Sequence, residues 1–382
     1  MAAGRQLGSV RRLVVKVGSG LVTDASAGAD AVRIETLASE IAAVRADREV
    51  VLVTSGAIVT GMARLALEKR PRSIPEKQAA AAVGQSALMW HYEAAFKRHG
   101  IHVGQVLLTG QDIADRTRYL NARNTLVALL RFGVLPIVNE NDTVAVDEIK
   151  VGDNDNLSAH VAALIDADLL VLLTDVAGLY SGDPAQDPTA TKLDTVEAVT
   201  DDILRLVWSH TGGTAVGGMA TKLAAAQKAT ASGVPMIIAS GEDRGALARM
   251  LAGEPVGTYF PPRADRLAAR KRWIAFAVPP QGRITVDAGA CRALVRDGKS
   301  LLPSGLVAVD GDFVAGDVVA VVAAERPAAG PERPAAEFAR GLVNFDADEL
   351  RLIRGAKTRD IEARLGYRSV DEVIHRDNLV IL

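Results

Sequence analysis

The alternation of short apolar runs with helix-length segments, from the start of the chain to about residue 260, constrains the fold more than any other feature. Six runs are rich in β-branched residues or leucine and are bounded by Gly, Pro or polar residues: 13–17, 50–54, 102–108, 134–138, 169–174 and 235–238. Strands that alternate with helices are typical of a mostly parallel sheet. Residues 1–262 are therefore predicted to form an α/β domain, an open sheet sandwiched by helices.

A second, smaller domain is predicted over residues 275–382. Short runs at 282–287, 306–311 and 317–321 are separated by Gly and Asp, which favours a β-rich structure. A helical pattern covers 346–365 and is predicted to pack back on this domain as a C-terminal helical tail. The basic segment 263–274 follows two prolines and is predicted to be a linker. The Pro- and Ala-rich insertion at 325–337 is expected to be a mobile loop.

Composition excludes several classes of protein. The chain has 382 residues, with 44 Lys and Arg against 46 Asp and Glu, so neither a polybasic nucleic-acid protein nor a membrane-surface protein is the default interpretation. Hydrophobic residues make up 49%, which excludes a disordered chain. Aromatic residues make up only 4%, so the core must consist mainly of Ala, Val, Leu and Ile.

The single cysteine, Cys291, can form neither an intramolecular disulfide nor a cysteine metal cluster. It points to a reducing compartment, and a small buried core residue is the expected role. The N-terminal residues contain no apolar leader, and the least polar stretch, 78–92, is too short and too polar to cross a bilayer. We therefore expect a cytoplasmic protein.

Two glycine-rich stretches each contain a lysine. Lys16 lies in VKVGSG at 15–20, where a strand runs into a glycine turn, and Lys222 ends GGMATK at 217–222, which opens a helix predicted over 221–232. Glycines let backbone N–H groups approach phosphate oxygens, and lysine adds a positive charge. The alternatives are a lysine on an edge strand and a surface lysine in a flexible loop. Two such stretches together favour phosphoryl transfer, although the common P-loop pattern is absent.

Amide and carboxylate side chains cluster in NEND at 139–142 and GDNDN at 152–156. Such clusters can orient an amino-acid ligand, bind Mg²⁺ through oxygen, or cap turns, and the sequence alone leaves all three open. Ser55 follows a predicted strand, but it lacks the G-x-S-x-G elbow and an identifiable histidine base. A binding role therefore fits Ser55 better than a nucleophilic one.

These motifs together resemble the amino acid kinase family, in the branch whose members phosphorylate glutamate and carry a C-terminal PUA domain. The resemblance rests on seven stretches: VVKVGSG (14–20), VTSGAI (53–58), RYLNARNTL (118–126), PIVNENDTVAVDEIKVGDNDNLSA (136–159), LLTDVAGLY (172–180), VGGMATK (216–222) and EVIHRDNL (372–379). It implies the amino acid kinase fold followed by a PUA domain. It also implies ATP-dependent phosphorylation of the side-chain carboxylate of L-glutamate to L-glutamyl 5-phosphate, the first step of proline biosynthesis.

The resemblance also implies roles for individual residues. Catalytic roles fall to Lys16, Lys222 and Asp155. Glutamate binding falls to Ser55, Gly56, Ala57, Asn139, Asp142 and Asn154. ATP binding falls to Lys16, Gly18, Ser19, Thr174, Asp175, Val216, Gly217, Gly218, Met219, Ala220, Thr221 and Lys222. Mg²⁺ is expected to be held mainly through the ATP phosphates, without protein ligands. One departure is visible, because the family's Gly-Thr-Gly-Gly-Met stretch is longer or shifted here, at 213–218.

The chemistry agrees with these residue types. A glutamate side chain has a pKa of about 4.3, so it is already an anion at neutral pH and needs no general base. The difficulty is to bring it against the anionic γ-phosphate, which calls for positioning and positive charge.

The resemblance further implies feedback inhibition by proline, a homo-oligomer (dimer or tetramer) and a partnership with glutamyl phosphate reductase. One alternative is an amino acid kinase with a different acceptor. Another is an RNA-binding module, since PUA domains occur in RNA-modifying enzymes. Residues 263–382 hold 19 Lys and Arg and 17 Asp and Glu, so strong RNA binding is not expected.

Overall fold

The computed structural model describes residues 7–24, 26–144, 154–182, 187–208, 218–263, 274, 279–324, 337–367 and 370–382. The chain divides into two compact units, 1–264 and 265–382. Most of the predicted linker, and all of the predicted mobile loop except Glu337, lie outside the described residues. None of the described helices combines the length and apolar character that a bilayer crossing requires.

The first unit is built on a seven-stranded sheet with the order β5-β6-β4-β1-β7-β8-β9. The described strands of this unit are β1 (Arg12–Val17), β2 (Thr23–Asp24), β3 (Gly28–Ala29), β4 (Glu49–Val53), β5 (Val103–Leu108), β6 (Leu135–Glu140), β7 (Leu169–Thr174), β8 (Met236–Ser240) and β9 (Thr258–Phe260). Neighbours in the large sheet are parallel except β8 and β9, and β2 pairs with β3 separately. The predicted open, mostly parallel sheet is confirmed, and all six predicted strands are present.

Helices cover both faces of this sheet. They are α1 (Ala31–Arg45), α2 (Ala57–Arg64), α3 (Ile74–Lys97), α4 (Gly110–Ala114), α5 (Arg116–Arg131), α6 (Asn154–Leu164), α7 (Asp201–Trp208), α8 (Met219–Ala231) and α9 (Ala246–Leu251). One core layer joins the sheet to α5, α6 and α8, and the other joins it to α1, α3 and α9. Successive strand residues face opposite sides. Val14 lies in the α6/α8 layer, so Lys16, two residues further along β1, faces the same helices.

Two glycines bring α2 and α3 into backbone contact. A Cβ atom on Gly61 would lie 1.8 Å from the carbonyl oxygen of Ala80, and one on Gly84 would lie 1.8 Å from that of Ala57. No side chain can occupy such a gap, so both positions need glycine. This contact holds α3 against the start of α2, directly after Ser55 and Gly56.

We expect Gly84→Ala to lower the free energy of unfolding by about 2–3 kcal/mol, because the backbone itself must move to admit a methyl group. Chemical denaturation of the full chain measures this change. Gly8→Ala is the matched control, because no atom lies within 4 Å of a Cβ built at Gly8. Equal stability of Gly84→Ala and the control would contradict the described packing of α2 on α3.

The second unit contains a five-stranded sheet with the order β11-β10-β12-β13-β14. Its described elements are β10 (Gly282–Val286), α10 (Ala288–Val295), β11 (Leu306–Gly311), β12 (Val318–Ala323), β13 (Glu337–Leu342), α11 (Ala347–Ile353), α12 (Ile361–Leu365) and β14 (Leu379–Ile381). The predicted β-rich domain is confirmed. Cys291 is only partly buried and packs against the core of this unit rather than within it.

The helical pattern at 346–365 forms two short helices instead of one. α11 ends before Gly355, which adopts a left-handed backbone with φ of 69°. A left-handed residue terminates a helix, and the chain continues through a 3₁₀ turn before α12 begins. The hydrophobic pattern continues across this break because both helices face the same core, which includes Leu350 and Ile361.

Candidate active site

Residues from distant parts of the sequence meet at the carboxyl ends of the central strands. Lys16 lies near the end of β1, Ser55 follows β4, and Asn139 lies near the end of β6. Both α6 and α8 begin at this edge, which places Asp155 and Lys222 in their first turns. Parallel strands direct their carboxyl ends to one edge, where α/β proteins bind ligands.

A carboxylate between two ammonium groups forms the centre of the site. Lys16 pairs with Oδ1 of Asp155, and Nζ of Lys222 lies 3.4 Å from Oδ2 of the same carboxylate. The hydroxyl of Thr221 donates to that Oδ2 at 2.9 Å. The exposed fractions are 7% for Lys16, 8% for Lys222 and 1% for Asp155, so all three charges are shielded from water. We call this group the Lys-Asp-Lys centre.

The Lys-Asp-Lys centre carries an excess of positive charge. Burial alone raises the pKa of Asp155, but the ammonium groups of Lys16 and Lys222 outweigh it and hold the pKa below its ordinary value. The carboxylate is therefore ionised at neutral pH, and one negative charge faces two positive ones. Charges removed from water interact strongly, so this centre favours the approach of an anion.

A chain of amide side chains lies beside this centre. Nδ2 of Asn154 donates to Oγ of Ser55 at 2.9 Å and to Oδ1 of Asn139 at 3.0 Å. Oδ1 of Asn139 also accepts from the backbone N–H of Glu140 at 2.9 Å. Nδ2 of Asn139 donates to Oε1 of Gln85, on α3, at 2.7 Å. We call Ser55, Asn154, Asn139 and Gln85 the amide chain, and it adjoins the centre because Asn154 precedes Asp155.

Asp142 lies just after β6, two residues beyond Glu140. Burial raises the pKa of its carboxyl to about 6. A carboxyl whose charge is poorly hydrated gains from a cationic partner, such as the ammonium group of an amino acid.

The remaining predicted residues fall at the same edge or outside the described residues. Gly56 has a φ of 107° and precedes Ala57, the buried first residue of α2. Gly18 follows β1, and its N–H donates to the carbonyl of Leu173 in β7 at 3.1 Å. Ser19 lies in a 3₁₀ turn, and Thr174 is hydrogen-bonded to Asp175 at the end of β7. Gly218, Met219 and Ala220 lie at the start of α8. Val216 and Gly217 lie outside the described residues.

Gln85 is the site residue that sequence reasoning misses. It lies within an Ala-rich helix, and the only local signal is one polar residue among apolar and small ones. Its contact with Asn139 joins positions 54 residues apart, which no local pattern encodes.

Among the described residues, no group of three or more His, Cys, Asp or Glu side chains is arranged to hold a metal ion. Asp155, the buried acid of the centre, is already paired with two ammonium groups.

Known proteins resemble the chain over both units. The amino acid kinase family matches residues 11–240 and the PUA domain matches residues 282–365. A glutamate 5-kinase of Moorella thermoacetica is 51% identical over 377 residues, covering 98% of this chain and 97% of the relative. The glutamate 5-kinase of Myxococcus xanthus is 50% identical, with 98% and 97% covered. That of Ralstonia pickettii is 50% identical over 383 residues, covering 100% of both chains.

Proposed function

Since the chain belongs to the amino acid kinase family, in its glutamate 5-kinase branch with a C-terminal PUA domain, we propose that it transfers the γ-phosphoryl group of ATP to the side-chain carboxylate of L-glutamate. The product is L-glutamyl 5-phosphate, which enters proline biosynthesis. The single observation that carries the mechanism is the buried Lys-Asp-Lys centre with its excess positive charge. The family membership predicted from the motifs is confirmed.

The reaction needs charge neutralisation more than proton transfer. An oxygen of the glutamate carboxylate attacks the γ-phosphorus, and the bond from the γ-phosphorus to the β–γ bridging oxygen breaks, so ADP leaves with the bonding electrons. No proton moves, because the nucleophile is already an anion. The reactants repel each other, and fixed positive charges that face the transferring group lower this barrier.

We assign the transferring phosphoryl group to Lys16 and Lys222. Asp155 keeps the two ammonium groups apart and directed into the site, since each contacts a different oxygen of its carboxylate. The N-terminal ends of α6 and α8 add backbone N–H groups to the same region. An entering phosphate therefore meets positive charge that is already oriented, and no reorganisation is needed during the reaction.

Glutamate is assigned to the amide chain and its neighbours. Ser55 binds a carboxylate through its hydroxyl, Asn154 and Asn139 orient Ser55, and Gly56 and Ala57 place the start of α2 next to the ligand. Asp142 binds the α-ammonium group of glutamate, whose positive charge stabilises the poorly hydrated Asp142 carboxylate.

ATP is assigned to the edge between β1, β7 and α8. Gly18 and Ser19 approach the phosphates, Thr174 and Asp175 lie at the neighbouring strand end, and residues 218–222 at the start of α8 complete the described part of the site. Val216 and Gly217, which the family resemblance adds, lie outside the described residues. Asp155 is engaged by two lysines, so Mg²⁺ would be held mainly through the ATP phosphates. When bound there, Mg²⁺ offsets part of the phosphate charge.

Acidic pH is expected to weaken glutamate binding through Asp142. Its pKa of about 6 means that the carboxylate, which attracts the substrate ammonium group, is lost as the pH falls through 6. The KM for glutamate should rise about tenfold between pH 7.5 and pH 5, while the substrate carboxylate stays ionised. Steady-state kinetics across this range measure the change. Asp142→Asn should have a raised KM that varies little with pH, and a pH dependence identical to wild type would contradict the assignment.

Substrate screening tests the proposed function. ADP release is measured with ATP and Mg²⁺ and, separately, L-glutamate, L-aspartate, N-acetylglutamate, carbamate and UMP. We expect release with L-glutamate alone. Release with a different acceptor would retain the phosphate site and overturn the substrate assignment.

Further properties are proposals that follow from family membership. We propose domain limits of 1–262, with both substrate sites, 263–274 as the linker and 275–382 as the PUA domain. We also propose a cytoplasmic location, inhibition by proline, a homo-oligomer and a partnership with the reductase that consumes the acyl phosphate. The near balance of 19 basic and 17 acidic residues over 263–382 favours weak RNA binding at most.

A further inference from the structure

The buried amide of Gln85 has one satisfied end and one unsatisfied end. Only 9% of the residue is exposed. Oε1 accepts from Asn139 at 2.7 Å, whereas Nε2 has no hydrogen-bond partner among the described residues. A buried donor without a partner is unfavourable, and an apolar side chain of similar size would avoid it. The glutamine therefore has a use that packing alone does not explain.

The backbone contact of α3 with α2 brings Gln85 to this position. Gly84 lets α3 approach the carbonyl oxygen of Ala57 so closely that no Cβ would fit. The next residue, Gln85, can then reach Asn139 near the end of β6. Turning the Gln85 amide over would set its Nε2 against Nδ2 of Asn139, donor against donor. The amide is therefore held with its oxygen toward Asn139.

This orientation is passed along the amide chain. Nδ2 of Asn139 is directed to Gln85, and Oδ1 of Asn139 accepts both from the backbone N–H of Glu140 and from Nδ2 of Asn154. The second hydrogen on Nδ2 of Asn154 is directed to Oγ of Ser55. Ser55 therefore accepts from Asn154, and its own hydroxyl proton is left to donate. Among the described residues Asn154 is the only hydrogen-bond partner of the Ser55 hydroxyl, so the hydroxyl proton is available to a carboxylate.

We propose that Gln85 is a positioning residue for glutamate, an inference that rests on the proposed function. It acts through Asn139 and Asn154 and does not touch the substrate. By accepting from Asn139, it fixes the direction of both amides together with the backbone N–H of Glu140, which donates to Oδ1 of Asn139 at 2.9 Å and to Oδ1 of Asn154 at 3.3 Å. The Ser55 hydroxyl is thereby kept as a donor. Gln85 is remote from the Lys-Asp-Lys centre in this chain of contacts, so its effect falls on glutamate binding and not on phosphoryl transfer.

Gln85→Met in the full chain tests the proposal. Methionine has a similar length but lacks the acceptor, so Nδ2 of Asn139 loses its partner. The KM for glutamate should rise about tenfold or more, with kcat and the KM for ATP within about twofold of wild type. The rise in melting temperature caused by glutamate should shrink, and the rise caused by a non-hydrolysable ATP analogue should remain. Should Gln85→Met fail to fold, Gln85→Asn withdraws the same oxygen and retains a polar side chain.

Leu88→Val is the control for a purely structural effect, because Leu88 is fully buried on the same helix and belongs to the hydrophobic core. It should lower stability without changing the KM for glutamate. An unchanged glutamate KM in Gln85→Met, or an equal rise in both variants, would overturn the positioning role. A wild-type protein that does not phosphorylate glutamate would overturn the proposed function instead, so the two failures are distinguishable.

Discussion

Replacing Lys222 with alanine is expected to lower kcat for glutamate phosphorylation by about 10²–10³-fold, the range found when one preorganised electrostatic contact to a transition state is removed. Nζ of Lys222 lies 3.4 Å from Oδ2 of Asp155. Lys16 cannot take its place, because Lys16 would then lose its own contact with Oδ1 of Asp155. The charge on the transferring group is redistributed in the transition state, so the interaction lost is one that strengthens there. The KM for glutamate should change little, because the amide chain does not include Lys222.

Lys228→Ala provides the matched control on the same helix. Lys228 is exposed, and its Nζ contacts Oδ1 of Asn156 at 2.7 Å, so this variant also removes a lysine contact between α8 and α6. Its kcat should stay close to wild type. Near-normal turnover in Lys222→Ala, or an equal loss in both variants, would contradict the role assigned to Lys222.

Asp155→Asn is expected to abolish kinase activity and to lower the melting temperature. The substitution leaves two buried ammonium groups without their carboxylate, and breaking a buried ion pair costs about 3–5 kcal/mol. For a domain of this size, that corresponds to a fall of roughly 10 °C in melting temperature. Added inorganic phosphate should recover part of the loss, because an anion would then occupy the positively charged site. Calorimetry with and without phosphate, together with the kinase assay, measures these effects.

Asp202→Asn makes the same chemical change in an exposed ion pair. Asp202 contacts Arg205 at 2.8 Å, but their side chains are 86% and 76% exposed. Such a pair contributes about 0–1 kcal/mol, so this variant should melt near the wild-type temperature. If Asp155→Asn melts at the same temperature as Asp202→Asn, the Lys-Asp-Lys centre is not the buried charge cluster that we describe.

The main sheet, Lys16 and Lys222 could be predicted because each leaves a local signal. A β-branched run bounded by turns marks a buried parallel strand wherever it occurs, as in β1 and β7. A lysine beside a glycine turn likewise stands out at Lys16 and Lys222. Strands without that signal were not predicted. β9 has three residues, and β13, with the sequence EFARGL, combines charged residues and glycine with few β-branched ones.

The connections within the site could not be predicted from local patterns. Lys222 and Asp155 lie 67 residues apart, and their contact depends on the packing of α8 against α6. The family resemblance supplied these pairings, whereas the hydrogen-bond directions in the amide chain come from the structure alone. Gln85 shows the limit most clearly, because its part in the site depends on a backbone contact at Gly84 that only the packed helices reveal.

The most direct test of the central claim is to trap the product with hydroxylamine while ADP release is followed. Hydroxylamine converts an acyl phosphate at the glutamate side chain to the 5-hydroxamate. The amount of hydroxamate therefore measures how much phosphoryl group has been transferred to that carboxylate. We predict hydroxamate in proportion to ADP with wild type and L-glutamate, and a parallel loss of both in Lys222→Ala. ADP release without hydroxamate, or hydroxamate undiminished in Lys222→Ala, would contradict phosphoryl transfer to glutamate at the Lys-Asp-Lys centre.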